Sequence, residues 1–214
     1  MNHKGSVLVV DDDAAARESL RWLLESVGHE VVCYGSASEF LEDYSGEPAC
    51  LILDVRMPGM SGLELQREVQ QRDWRLPIIM VTGHGDVPMA VRAMRAGAVD
   101  FLQKPYNDQA LIERTEHALQ MAQRAWLEWA QDKKVRSHFG QLTRREREIA
   151  VLVGSGKSTK QIAHELGLSG KTVEVYRANM MAKMGARSVV HLVKMLSRLE
   201  CEPVAAMVEG KRSS

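Results

Sequence analysis

The residues best suited to chemistry follow apolar runs in the first half of the chain. Asp54 comes directly after the apolar residues 51–53, and Pro58 and Gly59 break the pattern soon after it. This pattern indicates a buried strand that ends at a carboxylate and leads into a tight loop. An Asp in such a place can also do no more than cap a turn, so other residues must decide between the two interpretations.

Three further apolar runs supply those residues. They lead into Asp11 and Asp12, into Thr82, and through residues 101–102 to Lys104. In open parallel α/β sheets, ligands bind at the carboxyl ends of the strands. If these strands are adjacent, carboxylates, a hydroxyl and an ammonium group surround Asp54.

The elements that must position these groups alternate between strand and helix through residues 1–120. Asp13 can cap the first helix, and Ser36 with Glu39 forms a capping-box pattern at the second. Gly97 is placed to end the fourth helix. The alternation favours an α/β fold with a doubly wound, five-stranded parallel sheet and right-handed crossovers.

The order and spacing of these strand-end residues resemble the receiver domain of two-component response regulators, over about residues 5–120. Residues 81–87 and 96–101 are most similar to the FixJ branch of that family. The resemblance implies a flavodoxin-like fold in which Asp54 accepts a phosphoryl group from a phosphohistidine of a sensor histidine kinase. It also implies Mg²⁺ as a cofactor, because two anions must approach each other.

The same resemblance implies a role for each residue of the expected pocket. Thr82 would donate its hydroxyl to the phosphoryl group, Lys104 would pair with its charge, and Phe101 would act as the switch aromatic. Phosphorylation is then expected to promote a homodimer through residues 87–95 and the fifth strand. The implied metal ligands are the carboxylates of Asp11, Asp12 and Asp54 and the backbone carbonyl of Arg56.

Residues 142–199 have the pattern of an all-α domain of four helices. Thr143 and Glu146 form a capping-box pattern at the first of them. Residues 154–159 contain Gly-Lys-Ser, but the leading glycine of a nucleotide-binding P-loop is missing and no strand precedes the segment. Two helices joined by a turn at Gly167 instead predict a helix-turn-helix.

This region closely resembles the LuxR/FixJ type of tetrahelical DNA-binding domain, and residues 168–184 are a highly specific match. In that family the second helix of the motif enters the major groove, and two symmetric heads bind half-sites about one helical turn apart. Glu174, Val175 and Ala178 occupy positions where related proteins meet base edges. The expected phosphate contacts, for each of which a merely solvated side chain is the alternative, are Lys160, Lys171, Thr172, Arg177 and Lys183.

A helical pattern continues beyond the first domain as a narrow seam. The first half of this seam is expected to pack on its own sheet, whereas pairing between protomers and contact with the next domain both stay open for the second half. The expected boundaries are a receiver domain at 1–120, an extended helical linker at 121–138, a DNA-binding domain at 139–200 and a disordered tail at 201–214. The seam consists of Ile112, Thr115, Leu119, Ala122, Trp126 and Trp129.

Charge divides the chain into two halves that its net charge of zero hides. Residues 1–117 hold 11 Lys and Arg against 19 Asp and Glu, and residues 118–214 hold 17 against 9. The basic half is therefore a candidate for nucleic-acid binding. The chain shows no apolar run near the roughly 20 residues of a membrane span, no secretory signal and no metal-ligand spacing among its cysteines. We therefore expect a cytoplasmic protein with reduced thiols and no membrane contact.

Three other functions compete with this interpretation. A haloacid-dehalogenase-type phosphatase needs Asp at the second position after its Asp nucleophile, where this chain has Arg56. A receiver that serves only as a dimerisation scaffold does not need the complete pocket, and an RNA-binding output needs stacking aromatics on an exposed sheet. We expect a DNA-binding response regulator that is not an enzyme. Its expected partners are a sensor histidine kinase, double-stranded DNA, a second copy of itself and RNA polymerase.

Overall fold

The structure, a computed structural model, describes residues 6–83 and 87–199. The chain divides into two compact units, with the boundary between Leu127 and Glu128. Each unit has its own hydrophobic core. Among the helices of the described residues, none has the length and apolar character needed to cross a membrane. The predicted tail, 201–214, and residues 84–86 of the FixJ-like segment lie outside the described residues.

The first unit alternates strands and helices. Its elements are β1 (Ser6–Val10), α1 (Ala14–Ser26), β2 (Val31–Tyr34), α2 (Ala37–Asp43), β3 (Ala49–Asp54), α3 (Gly62–Gln71), β4 (Ile78–Thr82), α4 (Val87–Arg95), β5 (Asp100–Gln103) and the first part of α5 (Asp108–Gly140). The five strands are parallel, in the order β2-β1-β3-β4-β5. The carboxyl ends of β1 and β3 therefore lie side by side at the topological switch point. This architecture confirms the predicted doubly wound sheet.

The central strand, β3, is buried along its whole length. Leu51 and Leu53 belong to the core under α2, α3 and α4, whereas Cys50 and Ile52 belong to the core under α1 and α5. A continuous apolar run is typical of a parallel strand that is covered on both faces. Asp54 is the last residue of this strand, so burial of the preceding residues fixes its carboxylate at the edge of the sheet.

Side-chain caps fix the starts of α1 and α2. The Asp13 carboxylate accepts hydrogen bonds from the backbone N–H groups of Ala15 and Ala16, as predicted for a helix cap. At α2 the predicted capping box is only half formed. Ser36 Oγ accepts from the Glu39 N–H at 3.2 Å, but the Glu39 carboxylate accepts from the Gly35 N–H at 2.6 Å instead of reaching back to Ser36.

α5 is 33 residues long and supplies side chains to both cores. Its first part buries Leu111, Ala118 and Leu119 in the first unit, and its last part buries Val135 and Phe139 in the second unit. Of the predicted seam, Thr115, Leu119 and Ala122 are buried, whereas Trp126 and Trp129 are 41% and 39% exposed. Pairing of the tryptophans between protomers stays a prediction. Residues 121–138, the predicted linker, lie within α5.

The second unit is entirely helical in the described residues. After the end of α5 come α6 (Arg144–Gly154), α7 (Thr159–Leu166), α8 (Gly170–Met184) and α9 (Val189–Ser197). The capping box of Thr143 and Glu146 is complete. Gly167 ends α7 in the left-handed conformation, at φ 65°, which a residue without a side chain adopts at no steric cost. The four helices confirm the predicted tetrahelical domain.

Candidate functional site

A single lysine links two buried carboxylates at the carboxyl edge of the sheet. The ammonium of Lys104, just after β5, lies 2.6 Å from Asp11 Oδ2 and 3.1 Å from Asp54 Oδ1. Asp11 is 3% exposed and Asp54 is 7% exposed. The ends of three strands thus bring together three of the residues that sequence reasoning selected. Their formal charge is one cation against two anions.

The loop that follows Asp54 donates a backbone hydrogen bond to its carboxylate. Asp54 Oδ2 accepts a hydrogen bond from the Arg56 N–H at 2.7 Å. The Gly62 N–H donates to the Val55 carbonyl at 3.0 Å. A Cβ atom at Gly62 would lie only 2.2 Å from the Asp54 carbonyl oxygen, so only glycine allows α3 to begin this close to the strand end.

The acidic residues after β1 are placed differently from one another. Asp11 Oδ1 accepts from the Asp13 N–H at 2.9 Å, which turns its carboxylate toward Lys104. Asp12 is exposed. Arg17, which the sequence reasoning missed, donates from Nη1 to the Asp11 carbonyl oxygen at 2.6 Å. The available signal was weak: an Arg in the first turns of a helix that follows an acidic strand end.

Thr82 and Phe101 lie on the two strands beyond β3. Thr82 is 1% exposed, and its carbonyl accepts from the Lys104 N–H at 2.8 Å, which joins the ends of β4 and β5. Phe101 pairs in register with Met80 and is half-buried against the core under α4. The Asp100 carboxylate accepts from the Phe101 N–H and forms an ion pair with Arg114 of α5.

The pKa values of Asp54 and Lys104 are both raised in this pocket, but the causes differ. Burial raises the pKa of Asp54, and the contacts with Lys104 and Arg56 offset this only in part. Burial alone would lower the pKa of Lys104, but its hydrogen bonds and charge interactions with Asp11 and Asp54 raise it. Lys104 is therefore firmly protonated, while the Asp54 carboxylate carries an incompletely compensated charge.

The predicted metal ligands are chemically suited to Mg²⁺, which prefers hard oxygen donors. Within the described ranges, no three His, Cys, Asp or Glu side chains form a metal-binding group by themselves. Mg²⁺ needs only one or two carboxylates, because waters and carbonyl oxygens complete its octahedron. Asp11 and Asp54 already share one cation, the Lys104 ammonium. The donor set therefore fits Mg²⁺ when the Arg56 carbonyl and water contribute.

The predicted DNA-facing residues lie mainly on one side of α8. Val173 and Met180 are fully buried in the second core and fix the orientation of the helix. Glu174, Val175 and Ala178 are exposed, so their side chains are accessible for the predicted contacts with base edges. Lys171 at the start of α8 and Lys160 on α7 are also exposed, whereas Thr172 is half-buried and its N–H is capped by Ser169.

Three of the predicted phosphate contacts already have protein partners, and the hydroxyl of Thr172 lies 2.7 Å from Ser169 Oγ. Lys183 Nζ lies 2.7 Å from Glu146 Oε2, and Arg177 Nη1 lies 3.1 Å from Thr159 Oγ1. Glu146 is 3% exposed and also accepts from the Thr143 N–H at 2.8 Å. Lys183 thus joins the end of α8 to the start of α6. Sequence reasoning did not foresee this link, because the two residues are 37 positions apart.

Comparisons with known proteins agree with both halves of this description. The family model of the response regulator receiver domain matches residues 7–116. The family model described as bacterial regulatory proteins, luxR family, matches residues 140–196. The two matches fall on the parallel-sheet unit and on the helical unit that contains α8.

Similar proteins match the chain over both regions. Nodulation protein W of Bradyrhizobium diazoefficiens is 45% identical over 197 residues, covering 92% of this chain and 87% of the relative. Transcriptional regulatory protein FixJ of the same organism is 43% identical over 199 residues, covering 92% of this chain and 97% of FixJ. The solved structure of response regulator StyR matches with a TM-score of 0.81 and 45% identity, over 91% of this chain and 98% of StyR. The chain therefore belongs to the FixJ-like response regulators of two-component systems, which combine a receiver domain with a LuxR-type DNA-binding domain and regulate transcription.

Proposed function

We propose that Asp54 is the phosphoacceptor of this response regulator, and that its phosphorylation by a sensor histidine kinase controls DNA binding by the second unit. The observation that carries the proposal is the shared lysine. Lys104 lies 2.6 Å from Asp11 and 3.1 Å from Asp54, so one ammonium serves two buried carboxylates. A pocket with this charge is suited to binding a further cation and then an anionic phosphoryl group.

The residues around Asp54 match the needs of phosphoryl transfer. A carboxylate oxygen of Asp54 attacks phosphorus in line, so that an O–P bond forms while the N–P bond to the kinase histidine breaks. The Thr82 hydroxyl then donates a hydrogen bond to the transferred group, and the Lys104 ammonium pairs with its charge. Both residues lie at strand ends that are already joined by the Lys104 N–H bond to the Thr82 carbonyl.

Receiver domains of this family typically bind Mg²⁺ at the phosphorylation site. In this chain the carboxylates of Asp11, Asp12 and Asp54 and the backbone carbonyl of Arg56 would hold it. Bound Mg²⁺ supplies charge neutralisation between the two anions. The chain's own contribution is to keep two of these carboxylates buried and oriented, through the N–H groups of Asp13 and Arg56.

Phosphorylation would be transmitted through Phe101 to a dimerisation surface on α4 and β5. The new group adds about −1.5 to −2 charge at neutral pH. A change in the ratio of active to inactive conformations from 1:99 to 99:1 needs about 5.5 kcal/mol of differential stabilisation. Charge-assisted hydrogen bonds, at about 1.5 to 3 kcal/mol each, supply much of this free energy. Val87, Val91 and Met94 are exposed apolar residues of α4, which supports this face as the site of contact between two copies.

The phosphorylated dimer would place two α8 helices in successive major grooves of double-stranded DNA. Glu174, Val175 and Ala178 would face base edges. Lys160, Lys171, Thr172 and Arg177 would hold the phosphates, and Lys183 would do so only by exchanging its partner Glu146. RNA polymerase is the proposed partner of the DNA-bound regulator. The proposed domains are 1–120 and 139–200, joined by the helical residues 121–138.

Sedimentation of the full chain tests this proposal directly. Molar mass is measured with Mg²⁺, with and without beryllofluoride as a phosphoryl mimic, for wild type and for Asp54→Ala. We expect wild type to shift from monomer to dimer on adding beryllofluoride, and Asp54→Ala to show no shift. Equal masses for both proteins in every condition would contradict a phosphorylation-driven dimer and would direct attention to Trp126 and Trp129.

A further inference from the structure

Arg17 contacts the pocket through a backbone group, the carbonyl of Asp11. It follows the cap residue Asp13 by four positions on α1 and is half-buried. Its Nη1 donates to the carbonyl oxygen of Asp11 at 2.6 Å. This contact is charge-assisted and short, so it is among the stronger kinds of hydrogen bond.

The guanidinium lies between the carboxyl ends of two neighbouring strands. A Cβ atom at Gly35, just after β2, would lie 3.8 Å from Cζ of Arg17 and 3.6 Å from Oε2 of Glu39. Glu39 accepts from the Gly35 N–H at 2.6 Å. The Arg17 side chain is thus confined by the Gly35 backbone on one side and reaches the end of β1 on the other.

Asp11 is consequently held at three points. Its carbonyl accepts from Arg17, its Oδ1 accepts from the Asp13 N–H at 2.9 Å, and its Oδ2 accepts from Lys104 at 2.6 Å. The first of these contacts fixes the peptide plane between Asp11 and Asp12. Because the Cα atoms of both residues lie in that plane, this contact limits the directions that the two side chains can take.

We propose that Arg17 is a positioning residue for cation binding, acting through the Asp11 carbonyl to orient the Asp11 and Asp12 carboxylates. The proposal rests on the proposed function of the pocket, since it takes Asp11 and Asp12 as ligands. Arg17 itself touches neither the cation nor the phosphoryl group.

The sign of the effect distinguishes positioning from simple electrostatics. A guanidinium near a cation site repels the cation, so its removal would strengthen Mg²⁺ binding if charge were all that mattered. Loss of a positioning contact weakens binding instead. Contacts of this kind typically contribute about 10-fold to 100-fold in metal affinity.

The test is an Mg²⁺ titration of the ¹⁵N-labelled full chain, followed by the amide resonances of Asp12 and Asp13. Arg17→Met is expected to lower Mg²⁺ affinity by about 10-fold, and Arg17→Lys, which keeps a donor, is expected to recover most of it. Arg21→Met is the matched control. Arg21 lies one turn further along α1 and pairs with Glu18 rather than with Asp11, so its loss should leave the affinity unchanged.

The outcomes separate this proposal from the one on which it rests. Wild-type affinity or tighter binding in a folded Arg17→Met would overturn the positioning role while leaving the pocket intact. If Arg17→Met does not fold, Arg17→Ala, which also lacks a donor, replaces it with the same expected loss. A wild-type chain that binds no Mg²⁺ would overturn the proposed pocket, and the role of Arg17 with it.

Discussion

Two buried carboxylates, one in each unit, face a lysine, and their pKa values move in opposite directions. Burial would raise the pKa of Glu146, but Lys183 and the Thr143 N–H and hydroxyl lower it. Asp54 shares its lysine with Asp11, and there burial prevails and raises the pKa. A carboxylate with a lysine of its own becomes a structural link. A carboxylate that shares its lysine with a second carboxylate keeps an incompletely compensated charge, which suits the proposed roles of Asp54 as nucleophile and metal ligand.

The largest effect is expected from disturbing the rigid frame that keeps Asp54 in this state. Gly62→Ala would place a Cβ atom 2.2 Å from the Asp54 carbonyl oxygen, a backbone atom that cannot rotate away. We expect a loss of about 3 kcal/mol in the free energy of unfolding of the first unit, at the upper end of overpacking costs. Native-state hydrogen exchange, which resolves the two units, measures this loss.

Gly154→Ala is the matched control in the second unit. There the new Cβ would lie 2.8 Å from Cδ1 of Leu196, the end of a flexible side chain. The expected loss is no more than about 1 kcal/mol, because the methyl group can move. Equal losses in the two variants would show that the loop after Asp54 is not rigid.

A smaller effect is expected from removing the charge of Glu146. Glu146→Gln keeps an oxygen for the Thr143 N–H but loses the ion pair with Lys183. We expect the second unit to lose about 1 to 2 kcal/mol, a moderate value because the Lys183 side chain is 38% exposed and can be solvated. Thermal unfolding followed by circular dichroism measures it. Glu148→Gln, at ion pairs with the exposed Arg144 and Arg145, should cost less than about 0.5 kcal/mol.

Replacing the carboxylate by an amide at Asp54 should change the free energy of unfolding in the opposite direction. Asp54→Asn removes a buried charge that Lys104 compensates only in part, so we expect the first unit to gain about 1 kcal/mol in the absence of divalent cations. Native-state hydrogen exchange of amides in the first unit, followed at increasing urea concentration, measures this gain separately from the second unit. Asp12→Asn, at an exposed position, should change stability little. A destabilised Asp54→Asn would mean that Lys104 fully compensates both carboxylates.

The pH dependence should be the smallest and most specific difference. The pKa of Asp54 in the folded protein lies above its ordinary value of 3.8. The stability of the first unit therefore falls as pH rises from that ordinary value to the pKa of the folded state. At Glu146 the folded pKa lies below 4.5, so its contribution is complete above that value and is lost as pH falls through the folded pKa. Unfolding free energies of wild type minus Asp54→Asn, and of wild type minus Glu146→Gln, measured from about pH 3 to 7, should slope in opposite directions.

The convergence of Asp11, Asp54 and Lys104 could be predicted from the sequence. Each follows an apolar run, and in a doubly wound parallel sheet the ends of such runs must meet at one edge. The four helices of the second unit could also be predicted from the sequence, because capping residues such as Thr143 and Gly167 mark where they start and end.

Contacts that depend on where a long side chain reaches could not be predicted in this way. Periodicity places Arg17 near the start of α1, but nothing in the spacing says that its guanidinium bonds the Asp11 carbonyl. Glu39 reaches Gly35 rather than Ser36 for the same reason. Lys183 was assigned to phosphate from its place on α8, and its partner Glu146 becomes visible only when α6 and α8 are packed together.

The double service of α5 has a practical consequence for dividing the protein into fragments. A C-terminal fragment cut at residue 140, where the family match begins, would lack Val135 and Phe139, which are 6% and 3% exposed in the second core. It would also lack His138, whose Nδ1 lies 2.9 Å from the Met184 carbonyl oxygen. A self-sufficient DNA-binding fragment should therefore begin before residue 135, and a receiver fragment should extend at least through the buried Ala122.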